Sequence, residues 1–121
     1  MIYRNFQTGE LPLLGLGCMR LPVLDGDDSK IDEGAAFALV DRAMERGIRY
    51  YDTAWGYHGG NSELAIGRAL KRHPREKFYL ADKFPGYDLA NMDKVAEIFP
   101  KQLEKCQVDY LDFYLFQNVC E

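Results

Sequence analysis

The sequence predicts an α/β fold with a parallel sheet, because short apolar segments alternate with longer segments of helical periodicity along its 121 residues. A β-hairpin is expected first, where residues 2–6 and 11–14 flank a polar turn that contains glycine. Four strands follow, at residues 14–17, 48–52, 77–82 and 110–116. Strands that are joined through helices pair in parallel with right-handed crossovers, so we expect these four strands to form one sheet. The whole chain, residues 1–121, is expected to be a single domain.

The first two helices are predicted from their cap residues and from the spacing of apolar side chains. Ser29 or Asp32 can accept hydrogen bonds from the free amides of the first helix, and Gly47 suits its left-handed C-terminal stop. Asn61 or Ser62 is expected to cap the second helix in the same way. These helices fill the connections between the first three parallel strands.

The third helix is expected over residues 92–106, but Pro100 lies inside it. Proline removes a backbone hydrogen bond and clashes with the preceding turn, so the sequence predicts a break near Phe99. Four strands and three helices suit a small doubly wound sheet. They suit equally the N-terminal half of a (β/α)8 barrel, with its first four strands and a leading hairpin. The pattern of elements alone leaves both architectures open.

Composition limits the kind of partner that the chain can have. Its net charge of −4 is spread along the sequence without a block of five like charges, which argues against nucleic acid or an anionic membrane. The expected ligand is therefore a small molecule. No segment approaches the roughly 18 apolar residues of a membrane helix, and the first residues do not resemble a signal peptide. A cytoplasmic protein is expected.

The cysteines and histidines do not predict a metal site. Cys18, Cys106 and Cys120 are odd in number and are never spaced as C-x-x-C, so we expect reduced thiols that mostly fill the core. His58 and His73 have no second ligand at metal-binding spacing. Both histidines are expected at the surface.

Polar residues fall where successive parallel strands end. Asp52 ends the second strand, Lys83 follows the third, and Gln117 follows the fourth. The carboxyl ends of parallel strands meet at one edge of the sheet, where barrel enzymes build their active sites. The glycine-rich loop 53–60 can hold Tyr57 above the same edge. We therefore expect these four side chains to converge, which favours the half-barrel.

A tyrosine that lies close to a lysine and an aspartate has a chemical use. A free phenol has a pKa near 10 and is a sluggish proton donor at neutral pH. A lysine cation within about 4–6 Å favours the phenolate, and an aspartate paired with the lysine keeps it charged and in position. The grouping indicates a general acid that protonates a carbonyl oxygen while a nicotinamide supplies hydride to the carbon.

Four segments together resemble the aldo/keto reductase family. They are Gly15-Leu16-Gly17-Cys18-Met19-Arg20, Asp52-Thr53-Ala54-Trp55-Gly56-Tyr57, the strand-end Lys83, and Leu115-Phe116-Gln117-Asn118-Val119. The opening G-x-G-C-M-R-L-P is similar to one branch of the family, in which some members carry a cysteine-rich iron–sulfur segment that this sequence does not contain. The resemblance spans the whole chain and implies a TIM-type (β/α)8 barrel.

The resemblance also implies roles for individual residues. Tyr57 would be the general acid, with Lys83 and Asp52 as its partners. The cofactor would be NADPH or NADH, and the substrate a small aldehyde or ketone that is reduced to an alcohol. The residues expected near the nicotinamide are Gly17, Met19, Arg20 and Asp52. Trp55 would either line the substrate pocket or wedge the loop against the third strand.

Two features depart from the family pattern. Gln117 stands where the family usually has a histidine, and an amide can donate a hydrogen bond to a carbonyl oxygen but cannot carry a proton. The remaining strands of the family's barrel, with most of its dinucleotide contacts, have no counterpart in this sequence. An alternative therefore stands: a noncatalytic half-barrel or interaction module, which self-associates or binds a complementary second half.

Overall fold

The computed structural model describes residues 1–7 and 9–118. The chain begins with an antiparallel hairpin of two strands, β1 (Tyr3–Phe6) and β2 (Gly9–Pro12). The ring centroid of Phe6 lies 5.8 Å from that of Phe113, so the hairpin packs across one end of the main sheet. The predicted hairpin is confirmed, with a shorter connection between its strands than expected.

Four strands form the main sheet, and all neighbouring strands in it pair in parallel. They follow one another in chain order as β3 (Leu16–Gly17), β4 (Tyr50–Asp52), β5 (Tyr79–Phe84) and β6 (Phe113–Phe116). Successive strands of a barrel have this order, whereas the strand order of a doubly wound sheet reverses at a switch point. The predicted half-barrel is confirmed.

Three helices lie in the connections between the parallel strands. They are α1 (Glu33–Glu45), α2 (Asn61–Leu70) and α3 (Val95–Cys106). Asp32 caps α1, since its Oδ1 accepts a hydrogen bond from the backbone N–H of Ala35 at 3.1 Å. Gly47 follows with a φ of +86°, which glycine adopts without steric cost. Within residues 1–7 and 9–118, no helix is long and apolar enough to cross a bilayer.

The start of α2 differs from the prediction that Asn61 or Ser62 is the cap. Both residues lie inside the helix, and the cap position belongs to Gly60, which has no side chain to offer. Ser62 Oγ instead donates to the carbonyl oxygen of Cys18 at 2.9 Å and lies 2.9 Å from Thr53 Oγ1. The serine thus ties α2 to the ends of β3 and β4.

Helix α3 runs unbroken through Pro100, so the predicted break before this residue is wrong. Pro100 is exposed, and it has no N–H to donate to the carbonyl oxygen of Ala96 in the preceding turn. On the opposite face, Ile98, Gln102 and Cys106 are buried at the spacing of successive helical turns. This buried face holds the helix against the sheet and outweighs the local cost of proline.

The core lies between the helices and the sheet. Tyr51 and Leu80 from the sheet are fully buried against Ile66 and Leu70 of α2 and Val40 of α1. The buried face of each helix repeats at helical spacing, whereas β5 is buried along most of its length, as a strand covered by helices should be. The apolar pattern in the sequence therefore corresponds to one continuous core.

The thiols that the structure describes are buried and unpaired, as expected of core residues. Cys18 is 0% exposed and Cys106 is 1% exposed. Burial, followed by the charge of Asp52, raises the pKa of Cys18 to about 12. Burial also raises the pKa of Cys106 far above its usual value. Cys120 lies outside the described residues.

Candidate active site

The carboxyl ends of the parallel strands bring the predicted polar residues to one edge of the sheet. Asp52 is the last residue of β4 and pairs with Ala81 of β5. Lys83 lies two positions further along β5, and therefore on the same face as Ala81. Gln117 follows β6, and its backbone N–H donates to the carbonyl oxygen of Phe84 at 3.0 Å.

The ammonium group of Lys83 joins the members of this site. Its Nζ donates to Oδ1 of Asp52 in an ion pair, to the carbonyl oxygen of Thr53 at 2.9 Å and to the hydroxyl oxygen of Tyr57 at 3.2 Å. An ammonium has three protons, so each of them is accounted for. Because the phenol accepts from Lys83, its own proton is left available for donation to a ligand.

Burial and hydrogen bonding have opposite effects on the pKa of Lys83. Its side chain is 14% exposed, and that of Asp52 is 29% exposed. Burial by itself lowers the pKa of Lys83, but the hydrogen bonds with Asp52 and Tyr57 outweigh it and leave the pKa raised. The ammonium therefore stays charged at neutral pH. A fixed cation at this distance from a phenol oxygen favours negative charge on that oxygen.

A tight loop holds Tyr57 above the strand ends. The backbone N–H of Tyr57 donates to the carbonyl oxygen of Ala54 at 3.3 Å, and a 3₁₀ turn then spans Tyr57–Gly60. His58 in this turn has a φ of 55°, in the left-handed region that non-glycine residues rarely occupy. Tertiary contacts must therefore keep His58 in this conformation.

The side chain of His58 makes these contacts, so the prediction that it is a surface residue is wrong. The residue is 2% exposed, and its Nε2 accepts from the backbone N–H of Leu21 at 2.9 Å. The ring proton is then on Nδ1, which donates to the carbonyl oxygen of Asp28 at 2.7 Å. His58 thus anchors the loop of Tyr57 to the segment after β3. Oδ1 of Asp28 also lies 3.2 Å from Nδ1. The sequence could not reveal this anchoring, because Leu21 and Asp28 lie 37 and 30 residues away from His58.

Of the residues expected near a nicotinamide, Gly17 lies beside Asp52, and Gly17, Met19 and Arg20 are all exposed. Gly17 ends β3 and pairs with Asp52, and a Cβ added at Gly17 would meet no described atom within 4 Å. Met19 is 53% exposed, and Arg20 is also exposed. The edge of the sheet therefore offers an uncovered surface next to the site.

Trp55 does not join this group. Its ring centroid lies 4.7 Å from Nζ of Lys105 in α3, which is a cation–π contact. Trp55 also lines a groove of about 580 Å³ together with Leu64 of α2 and Gln107. The side chain therefore lies against α3 and beside α2, and its expected role near the substrate stays a prediction.

A second polar group lies on the opposite face of β5, behind Lys83. Asp82 and Glu63 are both 0% exposed, and Sγ of Cys106 lies 3.6 Å from Oδ2 of Asp82. The backbone N–H of Lys83 donates to Oδ1 of Asp82 at 2.8 Å. Burial, followed by the hydrogen bond and the charge of Glu63, raises the pKa of Asp82 to about 9. Sequence reasoning missed this group because its members come from three separate elements.

The sequence of the chain also matches a known protein family. The model of the aldo/keto reductase family matches residues 13–120. The chain belongs to the aldo/keto reductase family, whose characterised members among its relatives are oxidoreductases.

Curated relatives extend well beyond the matched segment. Probable aldo-keto reductase 1 of Glycine max is 33% identical over 93% of this chain and 34% of its own length. The NADH-specific methylglyoxal reductase of Escherichia coli K12 is 28% identical over 87% of this chain and 37% of its own length. The chain thus spans about a third of the length of these relatives.

Solved structures share the fold. The thermostable aldo-keto reductase Tm1743, solved with the inhibitor epalrestat, aligns with a TM-score of 0.77 and 28% identity. The alignment covers 96% of this chain and 42% of that one, so the four-stranded sheet corresponds to part of a reductase barrel. Two aldo-keto reductase structures from Klebsiella pneumoniae contain NADPH and NADP. Nicotinamide cofactors are therefore bound by relatives of this chain.

Proposed function

We propose that this chain supplies the proton-donating part of an NAD(P)H-dependent carbonyl reductase, with Tyr57 as the general acid. The observation that carries the proposal is the contact of Lys83 Nζ with the phenol oxygen, 3.2 Å away, while Asp52 and Thr53 hold the same ammonium. The substrate class is a small aldehyde or ketone, of which the methylglyoxal named for the E. coli relative is an example. We place this reaction in the cytosol, where buried thiols stay reduced.

The proton moves along a short path. A substrate carbonyl oxygen accepts a hydrogen bond from the hydroxyl of Tyr57, whose lone pair is already engaged by Lys83. When bound, the reduced nicotinamide supplies hydride to the carbonyl carbon. The oxygen gains negative charge as the carbon is reduced, and takes the proton of Tyr57 to give the alcohol. The ammonium of Lys83 stabilises the resulting phenolate, and Asp52 keeps that ammonium in place.

The residues beside Asp52 fit a nicotinamide ring. The open space in front of Gly17 would admit a flat ring that a larger side chain would obstruct. Met19 and Arg20 would flank it, since both side chains are exposed at the same edge. The contacts to the remainder of a dinucleotide would come from other parts of a complete barrel. The chain alone should therefore bind NADPH weakly or not at all.

Gln117 has a narrower role in this proposal than a histidine would have. Its amide N–H can donate one hydrogen bond to the carbonyl oxygen and orient it beside Tyr57. It cannot deliver a proton, so the whole of the acid catalysis rests on Tyr57. General acid catalysis of this kind contributes roughly 100-fold to 10,000-fold to a rate.

The test replaces the matching segment of a complete reductase, such as the E. coli relative, with this chain and measures methylglyoxal reduction. We expect Tyr57→Phe to lower kcat by roughly 100-fold to 10,000-fold and to leave nicotinamide binding intact. Tyr110→Phe is the matched control, because Tyr110 is 49% exposed and lies outside the site. Equal turnover of the Tyr57→Phe chimera and its parent would show that the phenol is not the acid.

The alternative function, a noncatalytic module, is favoured by Gln117. The same chimera separates the two proposals. Turnover by the unmodified chimera supports the reductase. If the chimera binds NADPH but turns over only after Gln117→His, the glutamine marks a module that has lost catalysis.

A further inference from the structure

Three side chains able to ligate a metal ion converge on the helix-covered face of the sheet. They are Glu63 of α2, Asp82 of β5 and Cys106, the last residue of α3. One ligand atom from each lies within 4.8 Å of the other two, and all three residues are buried. The cluster is separate from the Tyr57 site, because Asp82 and Lys83 point to opposite faces of β5.

In each carboxyl group, one oxygen bonds to a group outside the cluster, and the second oxygen of Asp82, Oδ2, accepts from Sγ of Cys106. Oε1 of Glu63 accepts from Nζ of Lys105 at 2.8 Å, and Oδ1 of Asp82 accepts from the backbone N–H of Lys83 at 2.8 Å. Oε2 of Glu63 has no N–H or O–H partner among the described residues unless the carboxyl group of Asp82 carries a proton, although Glu63 is 0% exposed. A buried acceptor without a partner destabilises the fold by roughly 1–3 kcal/mol, or by more if it is charged. A proton or a cation beside this oxygen would remove that cost.

The spacing of the remaining ligand atoms suits a cation. Zinc binds thiolate sulfur at about 2.3 Å and carboxylate oxygen at about 2.0 Å, which places the two ligands about 3.5 Å apart in a tetrahedral site. Sγ of Cys106 lies 3.6 Å from Oδ2 of Asp82. The bonds from Lys105 and Lys83 to the outer oxygens orient the carboxylates, as second-shell partners do in metal sites.

A zinc ion would also change the protons that the cluster holds. Ligation requires a thiolate and carboxylates, so Zn²⁺ would displace the thiol proton of Cys106, and any proton on the two carboxyl groups, to solvent. The two positive charges of the ion would offset the negative charge that these groups then carry.

Close packing of α2 and α3 forms the site. Gly67 lies one turn after Glu63, and a Cβ there would meet the carbonyl oxygen of Lys105 at 2.6 Å. This close approach brings Cys106 to Glu63. We infer that Glu63, Asp82 and Cys106 form a buried Zn²⁺ site, with a solvent molecule as fourth ligand, that joins α2 and α3 to β5 behind Lys83.

The test uses the whole chain and Zn²⁺ or Co²⁺ alone. After dialysis against Zn²⁺ and removal of the free ion, we expect one metal per chain by elemental analysis. Co²⁺ should give the near-ultraviolet charge-transfer absorption of a thiolate ligand. A folded chain that retains no metal, or that binds Co²⁺ without this absorption, would overturn the site.

Variants locate the ion. We expect Cys106→Ser to abolish the charge-transfer absorption and Cys18→Ser, which removes the other described buried thiol, to keep it. Asp82→Asn distinguishes a proton from a metal ion between Asp82 and Glu63. The amide of asparagine can donate to Oε2 of Glu63, as a protonated Asp82 would, but it is a poor zinc ligand. We expect this variant to fold and to bind Zn²⁺ at least about tenfold more weakly. Unchanged metal content in Cys106→Ser would place the ion elsewhere and refute the inference.

Discussion

The two faces of the parallel sheet differ in how completely they are covered. On the helix side of β5, Leu80, Asp82 and Phe84 are 0% exposed. On the other side, Lys83 is partly exposed, and Leu115, which pairs with it from β6, is 43% exposed. In a closed barrel this second face is the interior, which side chains from all eight strands fill. The chain thus completes its helix-side core and only part of the barrel interior beside its candidate active site.

The largest expected loss of stability comes from a comparison of two leucine truncations, one on each face of the sheet. Leu80→Ala should lower the free energy of unfolding by roughly 2–5 kcal/mol, because it leaves a cavity in a closed core. Leu115→Ala should cost less than about 1 kcal/mol, because Leu115 is 43% exposed and its truncation leaves no closed cavity. Urea unfolding followed by circular dichroism measures both. Equal losses would mean that the two faces are equally well packed.

A smaller effect tests how tightly the helix layer is packed. Gly67→Ala should destabilise the chain by roughly 1–3 kcal/mol, because its Cβ would meet backbone atoms of Lys105 and Cys106 at 2.6–2.9 Å. Gly34→Ala in α1 is the matched control, since its nearest neighbour would be Asp32 Oδ1 at 3.6 Å. Alanine there should stabilise by about 0.5–1 kcal/mol. A stabilising Gly67→Ala would disprove the close approach of α2 and α3.

The smallest effect concerns the cap of α1. Asp32→Ala should cost about 1 kcal/mol, because it removes the acceptor for the backbone N–H of Ala35. Ser29→Ala should change stability by less than about 0.5 kcal/mol, since Ser29 is exposed and lies outside the cap. Thermal unfolding of the two variants side by side makes the comparison. The reverse order would identify Ser29 as the cap.

The parts of the fold that the sequence predicts correctly are those with local signals. Apolar periodicity located the three helices and the strands, and the polar residues at strand ends located Asp52 and Lys83. The predicted break near Pro100 is wrong because the burial of the opposite face of α3 stabilises the helix by more than proline destabilises it locally. Tertiary packing outweighed the local preference.

The parts that could not be predicted depend on contacts between distant segments. The anchoring of His58 rests on Leu21 and Asp28, which lie 37 and 30 residues away from it in the sequence. The cluster of Glu63, Asp82 and Cys106 arises only once α2, α3 and β5 are packed together. No spacing along the chain indicates such a grouping.

The claim that this chain fills only part of a barrel interior is tested most directly by light scattering of the 121-residue chain across a dilution series. The outer strands of the sheet, β3 and β6, present backbone groups that a barrel would pair, and each 100 Å² of exposed apolar surface costs about 2.5 kcal/mol. We expect the chain to self-associate, and to form a defined complex when a complementary half-barrel is added. A stable monomer that melts cooperatively at micromolar concentration would contradict the account.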